Sequence, residues 1–265
     1  MKIGVVGCAG RMGRNVIEQV LSTPGCALAG GTERPGPAIG QDLGTLVGRG
    51  SVGAVVMEDA ARLFAAADAV IDFTAPAATR AHAHLAAETG KVLVVGTTGL
   101  GESDVAVLTF AAAKAPIVYA PNMSVGVNVL FALTERLAGV LGPEFDIDIL
   151  EMHHRHKVDA PSGTALALGR AAAAGRQVRL EDVWRKQRDG QTGARPRGEI
   201  GFASLRGGDV VGDHAAIFAT DGERIEFAHK ASSRQVFAKG ALRAALWVAG
   251  KPPRLYSMKD VLGLE

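Results

Sequence analysis

Lys2-Ile3-Gly4-Val5-Val6-Gly7-Cys8-Ala9-Gly10-Arg11-Met12-Gly13 joins a β-branched run to a glycine-rich loop at the start of the chain. A helical pattern follows, with Val16, Ile17, Val20 and Leu21 on one face, and stops near Pro24-Gly25. Strand, glycine loop and helix, in that order, let backbone approach a pyrophosphate that then rests on the helix N-terminus. The spacing is GxxGxxG, a variant of the commoner GxGxxG. The stretch predicts a dinucleotide at the first strand end of an α/β sheet.

Residues 27–31 read as the next strand, with Glu33 and Arg34 at its end. Glu33 stands about 20 residues past the loop, where an acidic side chain accepts from ribose hydroxyls. Arg34 suits a 2′-phosphate or stacking on adenine. Together they predict use of either NADH or NADPH. Residues 34–53, rich in glycine and proline, are expected to make a surface excursion. Further strand-like runs lie at 69–73, 91–95 and Pro116–Tyr119, the first two separated by a helix over 77–89. His82 and His84 on that helix face different sides and are expected to be packed or solvated, not ligands. The turns Gly96-Thr97-Thr98-Gly99 and Ala120-Pro121-Asn122-Met123 fall at strand ends, the edge where such sheets bind ligands. Alternating strands and helices predict a doubly wound parallel sheet.

The organisation changes after Met123. Val125–Leu141 reads as a long helix and 145–152 as a strand. That strand delivers Glu151-Met152-His153-His154-Arg155-His156-Lys157-Val158-Asp159-Ala160-Pro161-Ser162-Gly163-Thr164. Three of the chain's seven histidines lie there, which concentrates titratable nitrogen in one place. Ser162 is the expected N-cap of the next helix, so Gly163 and Thr164 would present backbone N–H groups at an anion-binding end. Cationic side chains upstream of such an end predict a small acidic substrate. His153 and Lys157 suit proton donation and charge compensation. Adjacent histidines on extended chain point in opposite directions and no cysteine lies near, so no metal site is expected. The basic loop carrying Arg185, Lys186, Arg188, Arg195 and Arg197 is expected to be solvated or at a subunit contact, without a chemical role. Strands are read at 201–206, 210–219 and 224–229, the last two joined by Thr220-Asp221-Gly222-Glu223, a hairpin signal. A final helix is expected over 232–248. This half reads as α+β with antiparallel pairing.

Composition narrows the class. With 265 residues, 48% of them hydrophobic, and a formal net charge of +2, the chain can bury a full core. Its balanced charge argues against nucleic acid or a membrane surface as partner. The apolar run 60–71 is interrupted by Arg62 and Asp68 and is too short to cross a bilayer. Two cysteines, Cys8 and Cys26, give no disulfide framework, which fits a reducing compartment. No targeting segment is read ahead of the first strand, and a cytoplasmic location is expected.

The histidine run from His153 to Thr164, the GCAGRMG loop, Glu33-Arg34, Gly96-Thr97-Thr98-Gly99 and Ala120-Pro121-Asn122-Met123-Ser124-Val125-Gly126-Val127-Asn128 together resemble one family. Gly201-Phe202 and His229-Lys230-Ala231-Ser232-Ser233-Arg234 match it as well. Over nearly its whole length the chain resembles dihydrodipicolinate reductases of the lysine and diaminopimelate pathway. The resemblance implies NAD(P)H-dependent reduction of a cyclic imine dicarboxylate, 4-hydroxy-tetrahydrodipicolinate, to tetrahydrodipicolinate with loss of water. It implies His153 as proton donor and acceptor, Lys157 as second proton donor, and His154, Gly163 and Thr164 as substrate contacts. The cofactor would be held by Gly7, Cys8, Ala9, Gly10, Arg11 and Met12, by Glu33 and Arg34, by Gly96, Thr97 and Thr98, and by Ala120, Pro121, Asn122 and Met123. Met123 stands where some members carry Phe. The implied architecture is a Rossmann-like domain, residues 1–124 with 235–265 returning to it, and a central α+β domain, 125–234, with a mixed or antiparallel sheet. That second domain would bind substrate and build a homotetramer. Two other classes share the first domain: an amino-acid or semialdehyde dehydrogenase, and a non-catalytic NADH-sensing protein. The dehydrogenase would not need the histidine–lysine run, and a sensor would usually carry a separate DNA- or partner-binding module, for which no unassigned segment is read.

Overall fold

The computed structural model describes residues 1–264, which fall into two compact units. One comprises Met1–Val125 with Arg234–Gly263, the other Gly126–Ser233.

The first unit begins β1 (Lys2–Val6), α1 (Arg11–Leu21), β2 (Ala27–Thr32), α2 (Leu43–Leu46), β3 (Val56–Met57) and α3 (Ala60–Ala66). It continues β4 (Ala69–Asp72), α4 (Pro76–Thr89), β5 (Val92–Val95), α5 (Glu102–Ala111) and β6 (Pro116–Tyr119). Next come α6 (Val125–Leu141), β7 (Asp146–His153), α7 (Gly163–Gly175), α8 (Leu180–Val183), β8 (Trp184–Arg185), β9 (Ile200–Arg206), β10 (Gly212–Thr220) and β11 (Glu223–Ala231). The chain then re-enters the first unit as α9 (Gln235–Val248), β12 (Arg254–Tyr256) and α10 (Met258–Leu262).

The first sheet is parallel throughout, in the order β12-β6-β5-β4-β1-β2-β3. Parallel strands buried on both faces read as continuous apolar runs, and Val92–Val95 is such a run, buried at every position. Val16, Ile17 and Val20 of α1 pack one face with Ala241, Leu242 and Ala245 of α9. Leu63 and Phe64 of α3, Ala83 of α4 and Leu108 of α5 pack the other. This is the expected doubly wound sheet. The strand order reverses between β1 and β4, and there the carboxyl-end loops part to leave a crevice.

The second unit is a mixed sheet, β11-β10-β7-β9-β8, with β7 antiparallel to β10 and parallel to β9. Along β7 buried and half-buried residues alternate, so Ile147, Ile149, Glu151 and His153 share the inner face. Helices α6 and α7 cover that face through Leu130, Ala138, Ala165 and Leu168. The hairpin at Asp221-Gly222 forms as expected, with Thr220 opposite Glu223.

Several expectations need correction. Residues 69–72 are the fourth strand, because Val56 and Met57 already pair with Gly31 and Thr32, and α3 precedes them. The 34–53 excursion runs over the surface as expected and is also pinned there: Asp42 caps α2, and its carboxylate also accepts from the N–H groups of Val52 and Gly53. Leu43 is thereby fully buried. The 232–248 helix starts at Gln235 and is followed by β12, which extends the first sheet beside β6. The basic loop is solvated as expected, with Arg185, Lys186, Arg188 and Arg197 exposed, but it is not free. Arg188 donates to Asp148 at 2.9 Å and to Glu199 at 2.7 Å, and Arg195 lies 3.1 Å from Asp146. Strand alternation puts Asp146 and Asp148 away from the core, and the arginines fold back onto them.

Candidate functional site

The crevice between β1 and β4 is shaped by glycines. Gly7 leaves β1 at φ 65°, and a Cβ there would lie 2.9 Å from Thr74 Cγ2. A Cβ on Gly13 would lie 2.3 Å from the Gly7 carbonyl oxygen, so α1 rests directly on the loop backbone. Gly10 is the N-cap of α1, with no capping side chain and no acidic residue in the first turn. Among the described residues no side chain caps that helix end, which leaves its N–H groups open to an anion. Glu33 accepts from the Ala9 N–H at 3.2 Å and from the Arg34 N–H at 3.1 Å, while Arg34 is exposed. A cavity of about 580 Å³ opens here, walled by Gly7, Gly10, Glu33, Arg34, Phe73 and Thr74 among others. This bare helix end, glycine cradle and acidic strand end fit a nicotinamide dinucleotide.

The other expected cofactor residues lie at the same sheet edge in different ways. Ala9 is half-buried and Arg11 exposed. The Cys8 side chain is buried against Gly31, so only its backbone is offered to a ligand; burial, then the Glu33 charge, pushes the thiol up to about 11. Gly96 lies under the Phe73 ring, where a Cβ would meet a ring carbon at 2.1 Å. The Thr97 hydroxyl turns inward, donating to Asp72 at 3.1 Å and accepting from Thr79 at 3.0 Å. Thr98 and Pro121 are exposed, whereas Ala120 and Met123 are buried. Asn122 accepts from the Ser124 N–H at 2.9 Å and shapes the turn after β6. His82 is packed and His84 exposed, as their spacing implied. His82 Nδ1 lies 2.8 Å from Asp72. Burial pushes the Asp72 carboxyl up, but the bond and charge of His82 outweigh it and hold the group low.

In the second unit the end of β7 carries the titratable cluster. His153 Nδ1 lies 2.5 Å from Glu151 Oε2, and Arg206 of β9 grips both oxygens of Glu151, at 2.9 and 2.8 Å. The Ser162 N–H adds a bond to Glu151 Oε1 at 3.2 Å. Burial raises the Glu151 carboxyl, yet the His153 and Arg206 bonds prevail and bring it down to about 2. Ser162 caps α7 as expected, its hydroxyl accepting from the Ala165 N–H. That hydroxyl also meets His214 Nε2 at 3.2 Å, and the His214 ring stands edge-on to His153 with centroids 5.0 Å apart. Burial, reinforced by His153, pushes His214 down to about 3, so it stays neutral.

Lys157 donates to Asp159 at 2.8 Å. His154 is half-buried, Gly163 exposed and Thr164 half-buried at the head of α7. Glu151, Arg206 and His214 were given no part by sequence reasoning. For Glu151 the signal was present, since Glu-x-His on a strand puts both side chains on one face. Arg206 and His214 reach the cluster through sheet pairing, which no local pattern announces.

Residues 1–123 match the family described as Dihydrodipicolinate reductase, N-terminus, and residues 126–262 match Dihydrodipicolinate reductase, C-terminus. The chain belongs to the dihydrodipicolinate reductase family. It is 56% identical over 263 residues to the 4-hydroxy-tetrahydrodipicolinate reductase of Dinoroseobacter shibae, covering 99% of this chain and 98% of that one. Identity to the reductase of the same name from Methylocella silvestris is also 56%, over 265 residues, covering 100% and 97%. Among solved structures, dipicolinate-bound dihydrodipicolinate reductase from Paenisporosarcina sp. TG-14 superposes with a TM-score of 0.75 at 25% identity, covering 97% of each chain. The family match agrees with the resemblance carried by the glycine loop and the histidine run. No helix among the described residues is long and apolar enough to cross a membrane.

Proposed function

We propose that the protein catalyses NAD(P)H-dependent reduction of 4-hydroxy-tetrahydrodipicolinate to tetrahydrodipicolinate and water, a step of diaminopimelate and lysine biosynthesis. The observation that carries this reading is the Glu151–His153 pair beside the α7 N-terminus, on a chain that also bears the glycine-cradled crevice. Gly7 to Met12 and the head of α1 hold the pyrophosphate, and Glu33 and Arg34 hold the adenosine ribose. The turns after β5 and β6 contribute backbone. When bound, the nicotinamide supplies a hydride to the substrate's ring carbon.

The chain's own residues handle charge and protons. One substrate carboxylate rests on the Gly163 and Thr164 end of α7, where the helix dipole favours an anion. His154 and Lys157 complete the recognition of the dianion, with Lys157 exchanging its Asp159 partner for substrate and acting as second proton donor. His153 accepts the ring proton lost as Lys157 protonates the departing hydroxyl. It returns a proton once the hydride has added, so one hydride and one proton enter and one water leaves. The protein works in the cytoplasm as a homotetramer built on the second unit's sheet.

The test is loss of NADH absorbance by the purified protein, fed substrate freshly made by the preceding synthase. Rapid substrate-dependent oxidation is expected. Cofactor binding without turnover would sink the reductase reading and favour a cofactor-sensing protein.

A further inference from the structure

We propose that Glu151, locked in place by Arg206, is the positioning residue of this reaction: it fixes His153 with hydrogen on Nδ1 and leaves Nε2 as the atom that exchanges a proton with substrate. The inference rests on the role given to His153 above. Glu151 Oε2 receives His153 Nδ1 and Arg206 Nη1, while Oε1 receives Arg206 Nη2 and the Ser162 N–H. An ionised carboxylate only accepts hydrogen bonds, so Nδ1 carries the hydrogen and Nε2 is the ring's remaining site for a proton. Arg206 is itself held, since it lies opposite His153 in the β7–β9 register and donates to the Asp159 carbonyl at 2.7 Å. The far side of the ring is kept clear: a Cβ on Gly212 would lie 3.0 Å from Nε2. Each of these partners is a donor, as is the Ser204 hydroxyl that also bonds Glu151 from the facing strand, and they sit on strands and a helix cap that pack together. The arrangement is that of a carboxylate–histidine pair whose acid member orients the base and does not itself exchange protons.

The test is Glu151→Gln, which keeps size but must turn an amide NH2 against one of these donors. The expected result is a fall in kcat of about 100-fold, less than the ~10⁴-fold seen when a protease triad loses its acid, because the Gln oxygen still accepts one bond. KM for substrate and affinity for NADH should hardly move. Nitrogen NMR of the labelled His153 ring should show Nδ1 protonated in the parent protein and a mixture of tautomers in the variant. In a His153→Gln background, Glu151→Gln should cost nothing more, since the two residues act as a unit. Wild-type turnover by Glu151→Gln, with His153→Gln crippled, would overturn the positioning role and leave the reductase reading intact. Full activity of both variants would instead remove His153 from the chemistry. A further loss on top of His153→Gln would mean that Glu151 acts by another route, which also overturns the proposal. Should Glu151→Gln fail to fold, Arg206→Lys keeps the charge and loses the two-pronged grip. It should lower kcat about 10-fold with the same mixing of tautomers, and an unchanged kcat and spectrum would count against the lock.

Discussion

At the scale of single residues, the proposed cofactor site makes Arg34 the residue on which to test cofactor choice. It is exposed at the rim of the crevice, next to a Glu33 carboxylate already engaged with the Ala9 N–H. Arg34→Ala should weaken NADPH binding more than NADH binding, by about tenfold, because only NADPH offers a 2′-phosphate for charge-assisted bonds. Fluorescence titration with both cofactors checks this, and equal losses would assign Arg34 to adenine stacking. Gly212 matters for a different reason. Gly212→Ala sets a methyl about 3 Å from His153 Nε2, displacing the ring or covering it. The ring then gives by a few tenths of an ångström, less than the ~1 Å misplacement that costs about 100-fold, so a fall of about tenfold in kcat is expected. Steady-state kinetics should show this with NADH affinity retained, and normal turnover would mean that Nε2 does not face the substrate. Legibility at this scale was uneven. Ser162 stood out because residue type and local spacing suffice to define a cap, and His153 was singled out as the proposed proton donor by the same local signals. Arg206 and His214 did not, since a lone arginine or histidine on a strand carries no mark of what the neighbouring strand will bring opposite it.

At the scale of elements, the first βα unit shows how a helix end is left open to an anion by omission. Gly10 leaves α1 without a side-chain cap, although Asp and Asn cap helices better than Gly. Gly10→Asp should therefore leave thermal stability unchanged or slightly higher while lowering NADH affinity at least tenfold, because a carboxylate then occupies the place of the pyrophosphate. Thermal melting paired with cofactor titration separates the two effects. Joint loss of both would show that the loop, and not the charge, had been disturbed. Strand–loop–helix order was readable here because each element carries its own period and stop signal. β3 was not, being two residues long and existing only because Gly31 and Thr32 lie alongside. The basic loop is solvated as its composition implied, but its pairing was not readable for the same reason: Arg188 bonds to Asp148 and Glu199, side chains placed by strands elsewhere in the unit.

For the molecule as a whole, acid should unfold the protein in two stages whose signs follow from its buried groups. His214 is pushed from 6.5 down to about 3 in the fold. The unfolded chain thus takes up that proton first, and stability falls as pH drops below about 6.5. Glu151 goes from 4.5 to about 2 and Asp42 from 3.8 to about 2. Their contributions are complete above those ordinary values and disappear as pH falls toward 2. Urea midpoints measured from pH 7 to pH 3 should show both stages, and His214→Gln should remove most of the loss between pH 6.5 and 4.5. Burial also holds the pKa of His229 down, and that residue keeps a smaller share of the loss. A flat wild-type profile over that interval would mean that His214 is protonated in the folded protein. Local order along the chain was enough to specify a doubly wound sheet, the cofactor loop, the capped helix beyond the histidines and the Asp-Gly hairpin. Each depends on backbone preferences and side-chain periods that act within a few residues. The clamp on His153 is of another kind. Glu151 and Arg206 stand 55 residues apart, and Ser162 and His214 stand 52 apart. They meet only because the mixed sheet sets β9 and β10 on either side of β7, in a register fixed by burying apolar faces and pairing backbone groups across the whole unit.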